Sequence, residues 1–315
     1  QWQREIGTSY SSGTNGNLGG IAVDSSDNVY VTGTQIGYSQ SSTAFQKYIL
    51  VKFNSSGTHQ WTERLQGYYT SNVTAQNRNA ISQYHRSNGI TFVPAASGQP
   101  EGVCICGRQS NYDSQSASAD FFIARYDTSG NIQWRKCYGR SVYNTKKDEG
   151  PTYGYDAEAM KPITTDSSGN IIVIGSCNNE QQFDSSTPDS QMLFKLDPSG
   201  SVSWSKRFGQ FYDRGKSLTV TNSGDIIAVG GRYLYWSYLA QGAGCINFYT
   251  SSGTPKRSFN LTSGGSGTYS DYNRLNYAQS VAADNKDFFY LLAGYKSVTA
   301  SSGTSNTNVQ IVVFK

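Results

Sequence analysis

The residues in this 315-residue chain whose types suit catalysis are carboxylates and amides at the starts of short apolar runs. Cleaving a glycosidic bond by hydrolysis needs two carboxyl groups roughly 5–10 Å apart, one to protonate the leaving oxygen and one to attack or to activate water. The positions that lead into the runs are Asn17, Asn77, Asp156 with Glu158, Asp213 and Asn276. Amides stand at three of them, and only Asp156 and Glu158 form a pair, on one short segment. His59 and His85 are isolated, with no Ser or Cys partner motif nearby. No convergent acid–base constellation is legible, so the sequence predicts a chain that is not an enzyme. Cys104, Cys106, Cys137, Cys177 and Cys245 are odd in number and scattered, which argues against a disulfide framework. Cys104 and Cys106 share one face of a strand and read as buried thiols rather than metal ligands. Asp24-Ser-Ser-Asp-Asn28 offers oxygens, but not the five or more that a calcium loop supplies. No metal and no cofactor are expected.

The elements that position these residues follow one formula. Asp127-Thr-Ser-Gly130-Asn-Ile-Gln-Trp134 reads as a strand end, a tight turn and a second strand. The Asp127 carboxylate folds back onto the following amides, and Gly130 supplies the positive φ that closes the turn with a bulge. Beyond it, alternation sends Ile132, Trp134 and Lys136 one way and Gln133 and Arg135 the other. Asn54 to Trp61 and Asp197 to Trp204 repeat the formula, and Thr250 to Phe259 is a degraded copy without tryptophan. Trp2 begins a further copy, so four of the five tryptophans occupy this slot.

A second hairpin precedes each copy. Segments 21–33, 163–175, 218–230 and 281–294 are each two apolar strands around a short turn, in which Asp27 and Gly169 take the position that tolerates a left-handed backbone. In the second unit the paired strands are expected at 80–84 and 102–107, with 86–101 as an enlarged hairpin. Each unit thus has four strands, a-b-c-d, and five units fill the chain. Short apolar strands at even spacing, four to a repeat, predict an all-β fold: a five-bladed β-propeller of four-stranded antiparallel blades. The blades fall at about 18–67, 78–139, 157–209, 215–261 and 278–315 plus 1–7, in a single domain cut from a longer chain. The final stretch 309–314 reads as strand c without a strand d, and 1–7 as the missing strand d. The N-terminal strand is therefore expected to pair into the last blade and close the ring.

These repeats resemble the SBBP family of bacterial and phage β-propeller repeats, whose units read as 21–33 and 126–134 do here. The resemblance covers four units well and departs from the pattern at 84–102 and 250–259. It implies a non-catalytic structural or recognition module, in a virion or at an extracellular or cell-surface location, whose partners are protein subunits of a larger assembly or a surface glycan.

Charged residues make up 15% of the chain, against about 25% in typical proteins, and the net charge is +4 without a run of like charges. Nucleic acid is a poor partner on that ground, and no run approaches the roughly 18 apolar residues of a membrane span. Variation concentrates in the long segments between units. They carry Tyr68, Tyr69, Tyr112, Tyr143, Tyr153, Tyr155, Tyr233, Tyr235, Trp236, Tyr238, Tyr269 and Tyr272, mixed with Ser, Gly and Asn as in antibody paratopes. A recognition surface is expected there. Arg140, Lys146, Lys147, Arg214 and Lys216 form a basic sector in the same segments, suited to an acidic partner. Two alternatives stand beside the non-enzymatic module: a lectin-like propeller whose aromatic loops stack on sugar rings, and a five-bladed glycoside hydrolase.

Overall fold

In a computed structural model the formulaic stretches fold into antiparallel strands joined by tight turns. The structure describes residues 2–4, 6, 17–38, 44–65, 86–113, 116–138, 163–177, 190–208, 214–233, 242–261, 276–284, 286, 288–298 and 305–314. The first sheet is β1 (Asn17–Val23), β2 (Val29–Tyr38), β3 (Ala44–Phe53) and β4 (His59–Leu65). The second is β5 (Arg86–Val93), β6 (Gly102–Asp113), β7 (Ser116–Asp127) and β8 (Ile132–Tyr138). The third is β9 (Ile163–Thr165), β10 (Ile171–Cys177), β11 (Ser190–Leu196) and β12 (Val202–Phe208). β13 (Arg214–Val220), β14 (Ile226–Tyr233), β15 (Gly242–Tyr249) and β16 (Pro255–Leu261) make the fourth. β17 (Asn276–Ala283), β18 (Phe289–Val298) and β19 (Ser305–Phe314) make a three-stranded fifth. Strands neighbouring in sequence neighbour in each sheet, and the described residues include no helix. The expected all-β class and five antiparallel sheets are therefore present.

Two compact units divide the chain: Gln1–Ile171 with Leu196–Val202, and Ile172–Lys195 with Ser203–Lys315. In the first unit, Tyr30, Tyr48 and Leu50 of the first sheet pack against Ile90, Val103, Ile105, Phe122, Ala124 and Tyr126 of the second. Tyr48 stacks on Phe122 with centroids 4.7 Å apart. Phe121 to Tyr126 are six consecutive buried residues, so β7 is covered on both faces. In the second unit, Ile172, Ile174 and Leu193 meet Leu218, Ile226, Ala228 and Tyr249, while Ile227, Val229 and Ile246 meet Val281, Phe289 and Leu291. Within each unit the first strands of successive sheets adjoin: β1 beside β5 and β5 beside β9 in one, β13 beside β17 in the other.

Two expectations need correction. The first strand of the second sheet is Arg86–Val93, pairing Ile90 with Ile105 and Val93 with Gly102. The buried Ile90 and Val93 make the run from 90 to 93 the strand itself, not a decoration of the hairpin, while 80–84 lies outside the described residues. Alternation after the 127–130 turn also fails at its first step. Arg125 opposes Trp134 and Tyr126 opposes Ile132, so Gln133 is the extra residue of a bulge and Ile132 is exposed. The expected pairing of 1–7 with 309–314 is not shown among the described residues, of which 2–4 and 6 lie outside any strand.

Candidate functional site

Each sheet has a turn end and a loop end, and the turn end fixes where the strands stand. A side-chain oxygen at the start of these turns takes the amide four residues on, and where it belongs to an aspartate it takes the amide two residues on as well. Asp24 accepts from the Ser26 and Asn28 amides, both at 2.9 Å, and Asp127 from Ser129 at 2.9 Å and Asn131 at 2.8 Å. Asp166, Asp197 and Asp284 repeat the pattern. The Tyr30 hydroxyl adds a bond to Asp24 at 2.9 Å. Burial pushes the Asp24 carboxyl up, but the bonds from Asn28, Tyr30 and Ser26 together outweigh it and hold the group below its ordinary value. Asp27 at φ 61° and Gly169 at φ 74° share the left-handed position, as their residue types suggest.

A relay links each turn to the preceding sheet. The Trp61 indole N–H donates to the Thr128 carbonyl at 3.3 Å, Trp134 to Pro198 at 3.0 Å and Trp204 to Ser251 at 3.2 Å. A cation two residues before the preceding turn donates to the same oxygen: Lys52 to Thr128 at 2.8 Å, Arg125 to Pro198 at 3.3 Å and Lys195 to Ser251 at 3.3 Å. A Cβ at Gly130, Gly200 or Gly253 would meet the docked indole at 3.2, 3.0 and 2.9 Å, so glycine admits the ring as well as the backbone conformation. Trp2 docks in the same way on the first such turn, donating to Ser55 at 3.0 Å. The sequence reading found the tryptophans and missed the cations, although Lys52, Arg125 and Lys195 stand at one fixed offset.

Arg125 is the extreme member. Its side chain is fully buried, and it also donates to the Pro100 carbonyl at 2.6 Å, while its Nε has no partner. Cys104 faces it across the ladder. Burial pushes the Cys104 thiol up to about 12, partly offset by the Arg125 charge, and burial raises Cys106 as well. Both stay protonated at neutral pH and are inert as nucleophiles. Among the described residues, no group of three His, Cys, Asp or Glu is placed to hold a metal.

The opposite ends of the sheets share a different feature. In four sheets the first strand carries a bulge at the same rung, leaving Gly19, Asn88, Lys216 and Gln279 without an opposing residue. Bulges re-aim the chain and concentrate beside active sites. The strands begin above these bulges at Asn17, Arg86, Arg214 and Asn276. Asn77 and Asp213, expected to lead into two of the runs, lie outside the described residues, as do Asp156 and Glu158. Of the expected recognition residues, Tyr112 lies on β6 and Tyr233 ends β14, while Tyr68, Tyr69, Tyr143, Tyr153, Tyr155, Tyr235, Trp236, Tyr238, Tyr269 and Tyr272 lie outside the described residues. Of the basic sector, Arg214 and Lys216 stand on β13, the first strand of its sheet, and Arg140, Lys146 and Lys147 lie outside the described residues.

No family model and no curated protein matches the sequence. The fold does match solved structures. A polysaccharide lyase of family PL25, an ulvan lyase bound to -[GlcA(1-4)Rha3S]-, is similar at a TM-score of 0.51 and 10% identity, over 99% of this chain and 72% of that one. An α-L-arabinanase from Penicillium chrysogenum, complexed with arabinobiose, is similar at 0.48 and 11%, over 93% and 78%. An endo-arabinase from Bacteroides thetaiotaomicron VPI-5482 is similar at 0.42 and 13%, over 97% and 96%. The fold is thus similar to that of a polysaccharide lyase. This corrects the expectation of a non-enzymatic structural module of a virion. The formula behind that expectation specifies turns and packing, which are common to binding and catalytic propellers alike.

Proposed function

We propose that the protein is a polysaccharide-cleaving enzyme on a five-bladed β-propeller, working at the loop ends of its sheets. The observation that carries this reading is the likeness in fold, over 99% of the chain, to a lyase seen with its polysaccharide ligand. The recurrent bulges give it local support, since they fall at one rung of four first strands and carry a polar residue, Asn88, Lys216 or Gln279, in three of them. The tyrosine-rich connectors then serve as stacking surfaces for sugar rings, and Asp156, Glu158 and Asp213 are the carboxylates to test for acid and base roles. An extracellular or cell-surface setting follows from a polymeric substrate. Closure of the ring by the N-terminal segment belongs to the same proposal. It is supported by the three-stranded fifth sheet and by Trp2, which already sits in the tryptophan slot.

The test is incubation of the full chain with arabinan, ulvan and polygalacturonate. Reducing ends report cleavage of either kind, and ultraviolet absorbance of an unsaturated uronate singles out elimination. Release of oligosaccharides from one polymer is expected. A chain that leaves all of them intact is not this enzyme.

A further inference from the structure

The outer hairpin of the fourth sheet departs from its three counterparts at two places. In the first three sheets the residue four beyond the turn glycine (Gly57, Gly130 or Gly200) is tryptophan, and the residue six beyond it is charged, as Glu63, Lys136 or Lys206. Beyond Gly253 the same two places hold Arg257 and Phe259. The exchange leaves a large ring in the open: Phe259 is 49% exposed, where Trp61, Trp134 and Trp204 are half-buried. Burial rewards an apolar ring only as far as it leaves water, so folding alone gains little from a phenylalanine in a place of charges. Nor does the ring stand alone. Arg257 opposes Phe248 across the ladder and Phe259 opposes Ile246, so Arg257, Phe259 and Phe248 share one face of the sheet. Phe259 meets Phe248 edge-on with centroids 5.9 Å apart, and the Arg257 guanidinium lies 5.6 Å over the Phe248 ring. Phe289 of the fifth sheet packs on Phe248 at 5.3 Å and fixes the floor of the patch. β15 and β16 contain no aspartate or glutamate. Among the described residues the ion pair on β16 joins Lys256 to Asp225, and Arg257 has none.

We infer that Arg257, Phe259 and Phe248 form a surface platform that binds an anionic sugar unit of a polysaccharide, on the outer hairpin of the fourth sheet rather than at the loop ends. The inference rests on the polysaccharide-cleaving reading and adds a second contact with the same polymer. The C–H face of a sugar ring packs on an exposed aromatic ring, and a guanidinium beside it gives a carboxylate or sulfate two parallel hydrogen bonds. The contact with Phe248 already orders the arginine, so less side-chain freedom is lost when the anion arrives. A polymer held here stays close to the protein between cleavage events, which raises its effective concentration at the loop ends.

The experiment is affinity electrophoresis of the full chain through polygalacturonate, dextran sulfate or neutral arabinan, at low and physiological salt. The variants are Phe259→Ala and Arg257→Gln. The control is Lys256→Gln, which removes the same charge one residue away. Each variant should weaken the apparent Kd for a charged polymer about tenfold, while the control keeps the wild-type value. Binding should also lose salt dependence in Arg257→Gln and keep it in Phe259→Ala. Loss on polygalacturonate identifies the anion as a carboxylate, and loss on dextran sulfate identifies it as a sulfate. Undiminished affinity in either variant at wild-type Tm overturns the inference. So does equal loss in the control, which makes binding a matter of net charge, or loss confined to arabinan, which makes the ligand neutral. Self-association that Phe259→Ala abolishes, without binding to any polymer, assigns the patch to a second copy and overturns the inference as well. Cleavage of a polysaccharide with affinity unchanged in both variants sinks the platform and leaves the enzyme reading standing. Neither binding nor cleavage of any polysaccharide removes both.

Discussion

The hairpin of the second sheet and that of the fourth occupy the same register and solve it in opposite ways. In the second, Arg125 on β7 opposes Trp134 on β8, and both reach the Pro198 carbonyl of the next turn. In the fourth, Phe248 on β15 opposes Arg257 on β16, whose guanidinium lies 5.6 Å over the Phe248 ring. Cation and aromatic have exchanged strands. The pair of the second sheet caps a carbonyl in a turn of the following sheet, whereas Phe248 packs on Phe259 and Phe289. What looked in sequence like decay is a hairpin adapted to a different neighbour. The wider lesson is that the turn ends are specified by their neighbours, whereas the loop ends are where the proposed function is to be tested.

That division can be broken most sharply at the loop ends. Replacing Asp156, Glu158 and Asp213 one at a time by the amide or by alanine should lower turnover by about 10²–10⁴ at whichever carries the acid or base role, with Tm unchanged. Activity surviving all three would move the chemistry elsewhere. At the turn end, Trp134→Ala should cost about 3–5 kcal/mol in chemical denaturation, because a large, part-buried ring and its bond to Pro198 are lost together. Arg125→Ala should cost a comparable ~3–5 kcal/mol by stranding the Pro100 and Pro198 carbonyls, whereas Arg125→Met should recover most of it. If Met is as harmful as Ala, the guanidinium contributes more than burial and shape.

Acid separates a smaller effect. The native Asp24 carboxyl is held below its ordinary value of 3.8, so its contribution is fully present above that pH and is lost as pH falls through the depressed native value. Asp24→Asn should therefore be about 1–2 kcal/mol less stable at neutral pH, with the gap closing in strong acid. A constant gap across pH would assign the loss to shape. Least of all should Arg257→Ala matter, at about 0.5–1 kcal/mol for one exposed cation–ring contact. An effect as large as that of Trp134→Ala would erase the contrast between the two hairpins.

The sequence by itself determined the local structure. Asx-Ser-Ser-Gly turns, left-handed positions at Asp27 and Gly169, and alternating apolar strands follow from short-range sterics and hydrogen bonding within a few residues. That is why 126–134 could be read directly. It also determined that the tryptophans share a role, since they recur at one offset. Tertiary structure decided what they touch. The carbonyl that Trp134 and Arg125 share lies more than sixty residues away in sequence, and no local rule distinguishes a cation aimed at it from one in water. The true first strand of the second sheet was set in the same way, because pairing with β6 and burial of Ile90 and Val93 chose Arg86–Val93 over a competing run. The placement of Arg214 and Lys216 on a strand that adjoins the first strand of the next sheet is likewise a matter of which strand β13 meets. Strand adjacency is a long-range property, and the candidate site is made of it.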